Sequence, residues 1–251
     1  MCCDKRIIGK AFNKIGIHLS EVQINQFYNY YLFLVEKNKV MNLTAITEYE
    51  DVIIKHFVDS LLICKIKYFD DMLNRNTEGN SIRMIDVGTG AGFPGIPIKI
   101  VYPDIKITLL DSLNKRISFL NEVIEKLNMK DITCIHGRAE DYGCNPDYRE
   151  KFDICVSRAV ANLSTLSEYC VPFINIGGEF ISYKASDIEQ EVKHSKNAVK
   201  QLGCKVIDVI KMNLLDMKEN EYERSFVIIS KEKVLSKKYP RKSGIPSRKP
   251  L

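Results

Sequence analysis

Met84-Ile85-Asp86-Val87-Gly88-Thr89-Gly90-Ala91-Gly92-Phe93-Pro94-Gly95 is the stretch on which the reading of this chain turns. Ile82–Val87 is apolar and strand-like, and it runs straight into a glycine-rich turn. In open α/β sheets ligands bind outside the carboxyl ends of the strands, where such a first strand-to-helix turn lies. Glycines there, Gly88 and Gly90 first among them, let the backbone take positive φ and approach a ligand closely. Gly90-x-Gly92-x-x-Gly95 also satisfies the G-x-G-x-x-G pattern of dinucleotide sites, a weak signal by itself. A dinucleotide turn leads into a helix whose free N–H groups hold a pyrophosphate. Here Asp86 precedes the glycines and Phe93-Pro94 interrupts them, which suits a cationic ligand better. Asp111, 19 residues beyond Gly92, closes the next strand and is placed to take ribose hydroxyls on its two carboxylate oxygens. S-adenosylmethionine, a sulfonium with an α-amino group and a ribose, fits this set better than NAD.

Outward from the turn, short β-rich runs alternate with helical patterns. Strands are expected at Ile82–Val87, Ile105–Leu110, Ile132–Ile135, Phe152–Val156 and Gly178–Tyr183. A helix is expected with Ile117, Leu120, Ile124 and Leu127 on one face, and another, capped at Asp187, with Ile188, Val192, Val199 and Leu202. Lys205–Ile210 and Ser225–Ser230 have no helical stripe between them and read as a closing antiparallel pair. The pattern predicts an α/β fold: a mostly parallel, seven-stranded sheet with helices on both faces.

Residues 1–75 read instead as a helical N-terminal extension packed on that domain. Ser20-Glu21-Val22-Gln23 fits a capping box, and Ile24, Phe27, Tyr28, Tyr31, Leu34 and Val35 form one amphipathic stripe. A second helix is expected from about Glu48 to Phe69, and a polar linker at Asn74–Ser81. The catalytic domain then spans 80–232 and a basic C-terminal tail 233–251.

Two further loops fall at strand ends. Gly137-Arg138-Ala139-Glu140-Asp141 follows the third strand, where Glu140 either meets an adenine or is a surface acid. Ser157-Arg158-Ala159 follows the fourth, where Arg158 either faces the cleft or forms an ion pair that steadies the turn. No Asp/Asn-Pro-Pro-aromatic motif and no Pro-Cys dipeptide occurs, so neither exocyclic-amine nor pyrimidine-C5 methylation is supported. Histidines 18, 56, 136 and 194 show no metal-ligand spacing, and no metal is expected.

Composition bounds the rest. The 251 residues, 45% apolar and 27% charged, suit one large globular domain, or one with an appendage. No run approaches the ~20 apolar residues of a membrane span, and no apolar segment follows the N-terminus as a signal would require. The eight cysteines are scattered without a C-x-x-C pair, the pattern of reduced thiols in a cytoplasmic protein. The net charge of +5 is uneven: the last 21 residues hold eight basic residues and one acid, leaving the remainder at −2. Such a tail either contacts phosphate backbones or is simply solvated.

The motifs in order resemble the RsmG family, also called GidB, the bacterial methyltransferases of small-subunit ribosomal RNA. The resemblance rests on Asn38–Thr44, His56–Leu61, Asp86–Pro97, Leu110-Asp111-Ser112 with Lys115-Arg116 and Phe119-Leu120, Arg138-Ala139-Glu140, Ser157-Arg158-Ala159, Tyr183-Lys184, and Tyr239–Pro246 with Pro250-Leu251. One departure is Val160, where Phe is frequent. The resemblance implies a Rossmann-like class I methyltransferase that uses S-adenosylmethionine to methylate guanine N7 at position 527, in the 530 loop of 16S rRNA, on the small ribosomal subunit. It places cofactor contacts at Gly88, Phe93, Asp111, Ala139, Glu140 and Arg158; Phe93 and Ala139 come from the resemblance alone. Guanine N7 carries no proton to remove, so no general base is expected. Arg158 and Lys184 are the candidates for positioning the substrate, and a monomer is expected. Rival readings are an NAD-dependent oxidoreductase sharing the glycine turn and a non-catalytic RNA-binding protein.

Overall fold

The computed structural model describes residues 4–74, 81–158, 160–185 and 188–251. Seven strands form its sheet: β1 (Arg83–Val87), β2 (Lys106–Asp111), β3 (Ile132–His136), β4 (Phe152–Arg158), β5 (Ile174–Ala185), β6 (Cys204–Leu215) and β7 (Glu221–Lys231). Their order is β3-β2-β1-β4-β5-β7-β6, with β1 to β5 parallel and β7 antiparallel to both neighbours. Strand order reverses between β1 and β4, so a crevice opens at their carboxyl ends. The fold class and the antiparallel closing pair are as the sequence predicts. The hairpin β6–β7 is longer than expected, and its outer half meets the N-terminal helices, where Lys14 Nζ donates to the Asp216 carbonyl (3.2 Å) and Lys55 sits over the Tyr222 ring.

Period-two alternation divides the apolar residues between two cores. Met84, Ile107, Leu109, Ile154, Val156 and Ile181 face one side; Ile85, Val87, Leu110, Cys155 and Phe180 face the other. The first core is completed by the N-terminal residues, and the second by the helices that follow β3, β4 and β5.

The N-terminal region begins with α1 (Arg6–Asn13) and α2 (Glu21–Met41). The predicted capping box is present: the Ser20 amide donates to Gln23 Oε1 (2.9 Å), and the Gln23 amide to Ser20 Oγ (3.3 Å). Gln23 Nε2 also donates to the Ile100 carbonyl (2.9 Å), so the cap ties the extension to the sheet domain. Three of the six residues of the predicted stripe, Phe27, Tyr31 and Leu34, are buried. Ile24, Tyr28 and Val35 are half-buried, whereas Tyr30 and Phe33, off that stripe, are buried. Helix α2 is covered on two sides, since Tyr30 reaches the glycine turn and Phe33 stacks on Phe119.

The single helix expected from Glu48 to Phe69 is not continuous. It runs as α3 (Tyr49–Val52), a π-helical turn (Ile53–Val58), α4 (Asp59–Leu61), a 3₁₀ turn (Leu62–Lys65) and, after extended Ile66, α5 (Lys67–Asn74). A π-turn inserts an extra residue into the rung, and such bulges concentrate at functional sites. Here it buries Ile53, Ile54, Phe57 and Val58 together while His56 and Asp59 reach the sheet. Residues 75–80 of the expected linker, and the Asp187 cap, lie outside the described residues.

The sheet domain carries α6 (Gly95–Val101), α7 (Asn114–Lys126), α8 (Ala139–Tyr142), α9 (Leu163–Cys170) and α10 (Glu189–Gln201), and the chain ends with α11 (Ile245–Arg248). The basic C-terminal segment is docked rather than solvated. Arg149 donates to the carbonyls of Leu235 (3.0 Å) and Tyr239 (2.8 Å), and Arg241 forms a forked pair with buried Glu168 (2.9 and 2.6 Å). Lys231, counted among the tail cations, is fully buried against Glu150 (2.8 Å). Lys233, Lys237, Lys238, Lys242, Arg248 and Lys249 remain exposed.

The Tyr30 hydroxyl is buried and donates to the Ala91 carbonyl, joining the extension to the turn. Tyr30→Phe leaves that carbonyl unpaired and is expected to cost about 1–3 kcal/mol, read as a lower denaturant midpoint at unchanged slope.

Candidate active site

The crevice at the switch point is a cleft with two lobes that share Gly88, Asp111, Ser112 and Val160. The larger, about 390 Å³, lies between the glycine turn and the N-terminal residues Leu43, Thr44 and His56. The smaller, about 110 Å³, lies over the ends of β2 and β3, between Glu140 and Tyr169.

The turn has the conformation its glycines were expected to allow. Gly88, Gly90 and Gly92 all have positive φ. A Cβ on Gly88 would lie 2.5 Å from Val160 Cγ2, whereas a Cβ on Gly90 would meet nothing, so Gly90 is open floor. Gly95 is needed for space: its Cβ would fall 2.3 Å from Leu109 Cδ2 and 3.0 Å from Asp86 Oδ2.

Asp86 is placed differently from the expectation of a direct ligand to a cationic group. It is completely buried beneath the turn, where Oδ2 accepts from Thr89 Oγ1 (2.7 Å) and the Gly95 amide (2.9 Å). Strand alternation is the reason, because Asp86 shares its face of β1 with Met84 and points into the core. Among the described residues its Oδ1 has no hydrogen-bond partner. Burial pushes the carboxyl up to about 6, against the lowering effect of its two donors and of Arg158. Asp86 therefore braces the turn from below.

Asp111 is buried at the cleft wall. Its Oδ2 accepts from the Gly90 amide (2.9 Å) and Arg116 Nη1 (3.2 Å), and its Oδ1 from the Leu113 amide (2.9 Å). A carboxylate has about four lone-pair sites, so these bonds orient it and leave acceptor capacity toward the cleft. Glu140 is buried, not a surface acid, and it lines the smaller lobe beside Ala139. Its Oε1 accepts from the Gly244 amide (2.9 Å).

Arg158 combines both readings left open for it. It lines the larger lobe, yet its guanidinium is mostly buried and bonded to Asp59 Oδ2 (2.7 Å). Arg224 holds the other oxygen of Asp59. Arg158 also lies over the Phe93 ring, with His56 stacked on the same ring at 4.5 Å. Lys184 is not brought to this cleft. Its Nζ donates to the Ala161 carbonyl (2.9 Å) and pairs with Glu191 (2.7 Å), so it steadies the loop after β4.

Thr44, His56, Arg116 and Tyr169 line the cleft without having been assigned a role from the sequence. His56 Nε2 lies 2.7 Å from Thr44 Oγ1, and Nδ1 lies 3.5 Å from Arg158 Nη2. A guanidinium only donates, so the Nδ1 lone pair faces it and Nε2 carries the proton. Burial, reinforced by Arg158, holds His56 down at about 3, and the ring is neutral at physiological pH. For Thr44, His56 and Arg116 the available sequence signal was their place in short motifs far apart along the chain; Tyr169 lies in none of those motifs. Among the described residues no group of three or more His, Cys, Asp or Glu is arranged to hold a metal, and no helix is long and apolar enough to cross a membrane.

The strand order and a cleft at the carboxyl ends of β1, β2 and β4 define a methyltransferase of the Rossmann-like class I type. Solved structures agree on the fold: a Galdieria sulphuraria protein assigned as a sarcosine dimethylglycine methyltransferase (TM-score 0.52, 10% identity) matches over 74% of this chain and 88% of its own. A Pyrococcus horikoshii protein assigned as an RNA methyltransferase (TM-score 0.50, 10% identity) matches over 70% and 85%. At the level of sequence, the family described as rRNA small subunit methyltransferase G (GidB) matches residues 23–220. The ribosomal RNA small subunit methyltransferase G of Acetivibrio thermocellus is 47% identical over 247 residues, 98% of this chain and 96% of that protein. The one from Clostridium botulinum strain Loch Maree is 47% identical over 245 residues, 98% of each. The chain belongs to the rRNA small subunit methyltransferase G family.

The buried Asp86 carboxyl makes a pH prediction. Its folded pKa of about 6 lies above the ordinary carboxylate value, so the folded state binds more protons between about pH 4 and 6. Its contribution therefore lowers stability as pH rises through that window. Asp86→Asn is expected to remove this component, so that the difference in melting temperature between variant and wild type grows in the variant's favour from pH 4 to pH 7.

Proposed function

We propose that this protein transfers the methyl group of S-adenosylmethionine to N7 of the guanine at position 527, in the 530 loop of 16S rRNA, acting as a monomer on the small ribosomal subunit. The observation that carries this reading is the pair of buried acids, Asp111 and Glu140, on one cleft over the ends of adjacent strands. Acceptor-only carboxylates at that spacing suit the hydroxyls and amino group of a nucleoside. The open floor at Gly90 and the unpartnered Arg116 Nε, buried beside the larger lobe, suit the amino-acid portion with its carboxylate. When bound, S-adenosylmethionine supplies an electrophilic methyl group on a sulfonium.

The chain's own task is alignment and charge control. Asp111 and Glu140 hold the nucleoside, and Gly88 and Gly90 let it lie against the backbone. The Phe93–His56 stack and Arg158 bound the opposite side, where the target base would enter. Because guanine N7 presents a lone pair, no residue needs to remove a proton. Holding the reactants at near-attack distance can supply ~7–11 kcal/mol in favourable cases. A cationic donor that yields a cationic base also requires that the cleft carry little uncompensated positive charge. Arg158 is paired with Asp59, a carboxylate it shares with Arg224, and His56 is neutral. The exposed cations of residues 233–251 then contact phosphates, which position the RNA without specifying sequence.

The deciding experiment is transfer of labelled methyl from S-adenosylmethionine to small subunits lacking the modification, with cleavage mapping of N7-methylguanine. A single site in the 530 loop is expected; transfer elsewhere, or none, would overturn the assignment. Asp86→Ala removes the brace of the turn and is expected to abolish cofactor binding by calorimetry; wild-type affinity would refute its role. Lys242→Ala is expected to leave cofactor affinity unchanged and to weaken RNA binding, with the salt slope of log K reduced by about 0.7–0.9.

A further inference from the structure

The docked C-terminal segment does more than cover a surface, because it ends on the cleft. Gly244, with φ 80°, turns the chain so that its amide donates to Glu140 Oε1 at 2.9 Å. Two contacts with α9 hold that turn in place. Arg241 pairs with Glu168, which is completely buried, through both its backbone amide (2.8 Å) and its guanidinium (2.6 Å). Thr165 Oγ1 donates to the Pro246 carbonyl (3.1 Å). Ser247 Oγ donates to the Gly244 carbonyl (3.2 Å) within the turn, and Tyr169 of α9 lines the smaller lobe together with Glu140. The same short segment shows Lys242, Arg248 and Lys249 to solvent.

We propose that residues 239–248 are a positioning element of the nucleoside site, which orients Glu140 and thereby links RNA contact on the segment's cations to cofactor affinity. A carboxylate so buried must be held by donors, and Gly244 supplies one from outside the sheet domain. If the segment leaves, Glu140 loses that donor. Conversely, RNA bound across Lys242, Arg248 and Lys249 restrains the segment in its docked position and so favours the arrangement that receives the nucleoside. Linkage makes the effect reciprocal: cofactor binding must tighten RNA binding by the same factor. The inference rests on the proposed use of S-adenosylmethionine.

The test uses S-adenosylhomocysteine as the probe. In calorimetry, a chain ending at Ser243 keeps the Arg241–Glu168 clamp but lacks Gly244, Pro246 and Ser247. Its affinity is expected to fall about tenfold or more, the scale of a lost hydrogen bond to a charged group. In the intact chain, hydrogen exchange at the Gly244 amide is expected to slow when the probe binds, a readout independent of how the shortened chain folds. A hairpin RNA carrying the 530-loop sequence is expected to tighten probe binding severalfold in the intact chain and not in the shortened one. Unchanged affinity in the shortened chain, unchanged exchange at Gly244, or equal RNA effects on the two chains would each overturn the inference while leaving the proposed function standing. No binding of the probe by the intact chain would overturn both.

Discussion

A carboxylate with no access to water sits under the glycine turn, and much of the cleft depends on its two bonds. Asp86 Oδ2 accepts from Thr89 at one end of the turn and from the Gly95 amide, at the start of α6, at the other. Between these points the chain passes through two glycines with positive φ, Gly90 and Gly92. From that arc the Gly90 amide reaches Asp111, so the acid at the end of β2 is oriented by the loop that the acid in β1 braces. The arrangement costs stability, since burial without full pairing raises the Asp86 carboxyl to about 6. Buried polar groups left partly unpaired are commonly found where function needs a rigid geometry.

The brace is secured from outside the sheet domain as well. Tyr30 bonds to Ala91 within the turn, and the Phe93 ring lies against Tyr30, Phe57 and His56. The helical N-terminal region thus forms one wall of the cleft, and the C-terminal segment reaches the other through Gly244 and Glu140. Asp59, delivered by the π-turn, accepts from both Arg158 and Arg224 and joins the N-terminal region to β4 and β7. Both ends of the chain therefore converge on a cleft that the sheet alone would leave shallow.

The chemistry expected there explains the charge pattern. A sulfonium donor and a cationic product share an intolerance for nearby uncompensated cations. The cleft meets that condition with two acids on the nucleoside side and a paired arginine and a neutral histidine on the other. The exposed Lys242, Arg248 and Lys249 of the C-terminal segment line neither lobe, whereas Arg138 lines the smaller and Arg116 the larger.

By itself the sequence determined the alternation of strands and helices, the closing antiparallel pair, the capping box at Ser20, and the glycine turn with Asp111 at the end of the next strand, while it left Glu140 open between an adenine contact and a surface acid. These are legible because they follow from local periodicity, turn chemistry and position at strand ends. Only the tertiary structure decided that Asp86 braces the turn, that Lys184 belongs to a loop contact with Glu191, and that Arg158 is paired with Asp59. It also decided that Tyr30, Thr44, His56 and the C-terminal segment build the walls. Several of these depend on a partner distant along the chain, 61 residues for Tyr30 and Ala91, 99 for Arg158 and Asp59 and 104 for Glu140 and Gly244. Asp86 and Lys184 instead take partners nine and seven residues away, whose approach depends on how the loops close. Periodicity records which face of an element is buried, but not what lies opposite it.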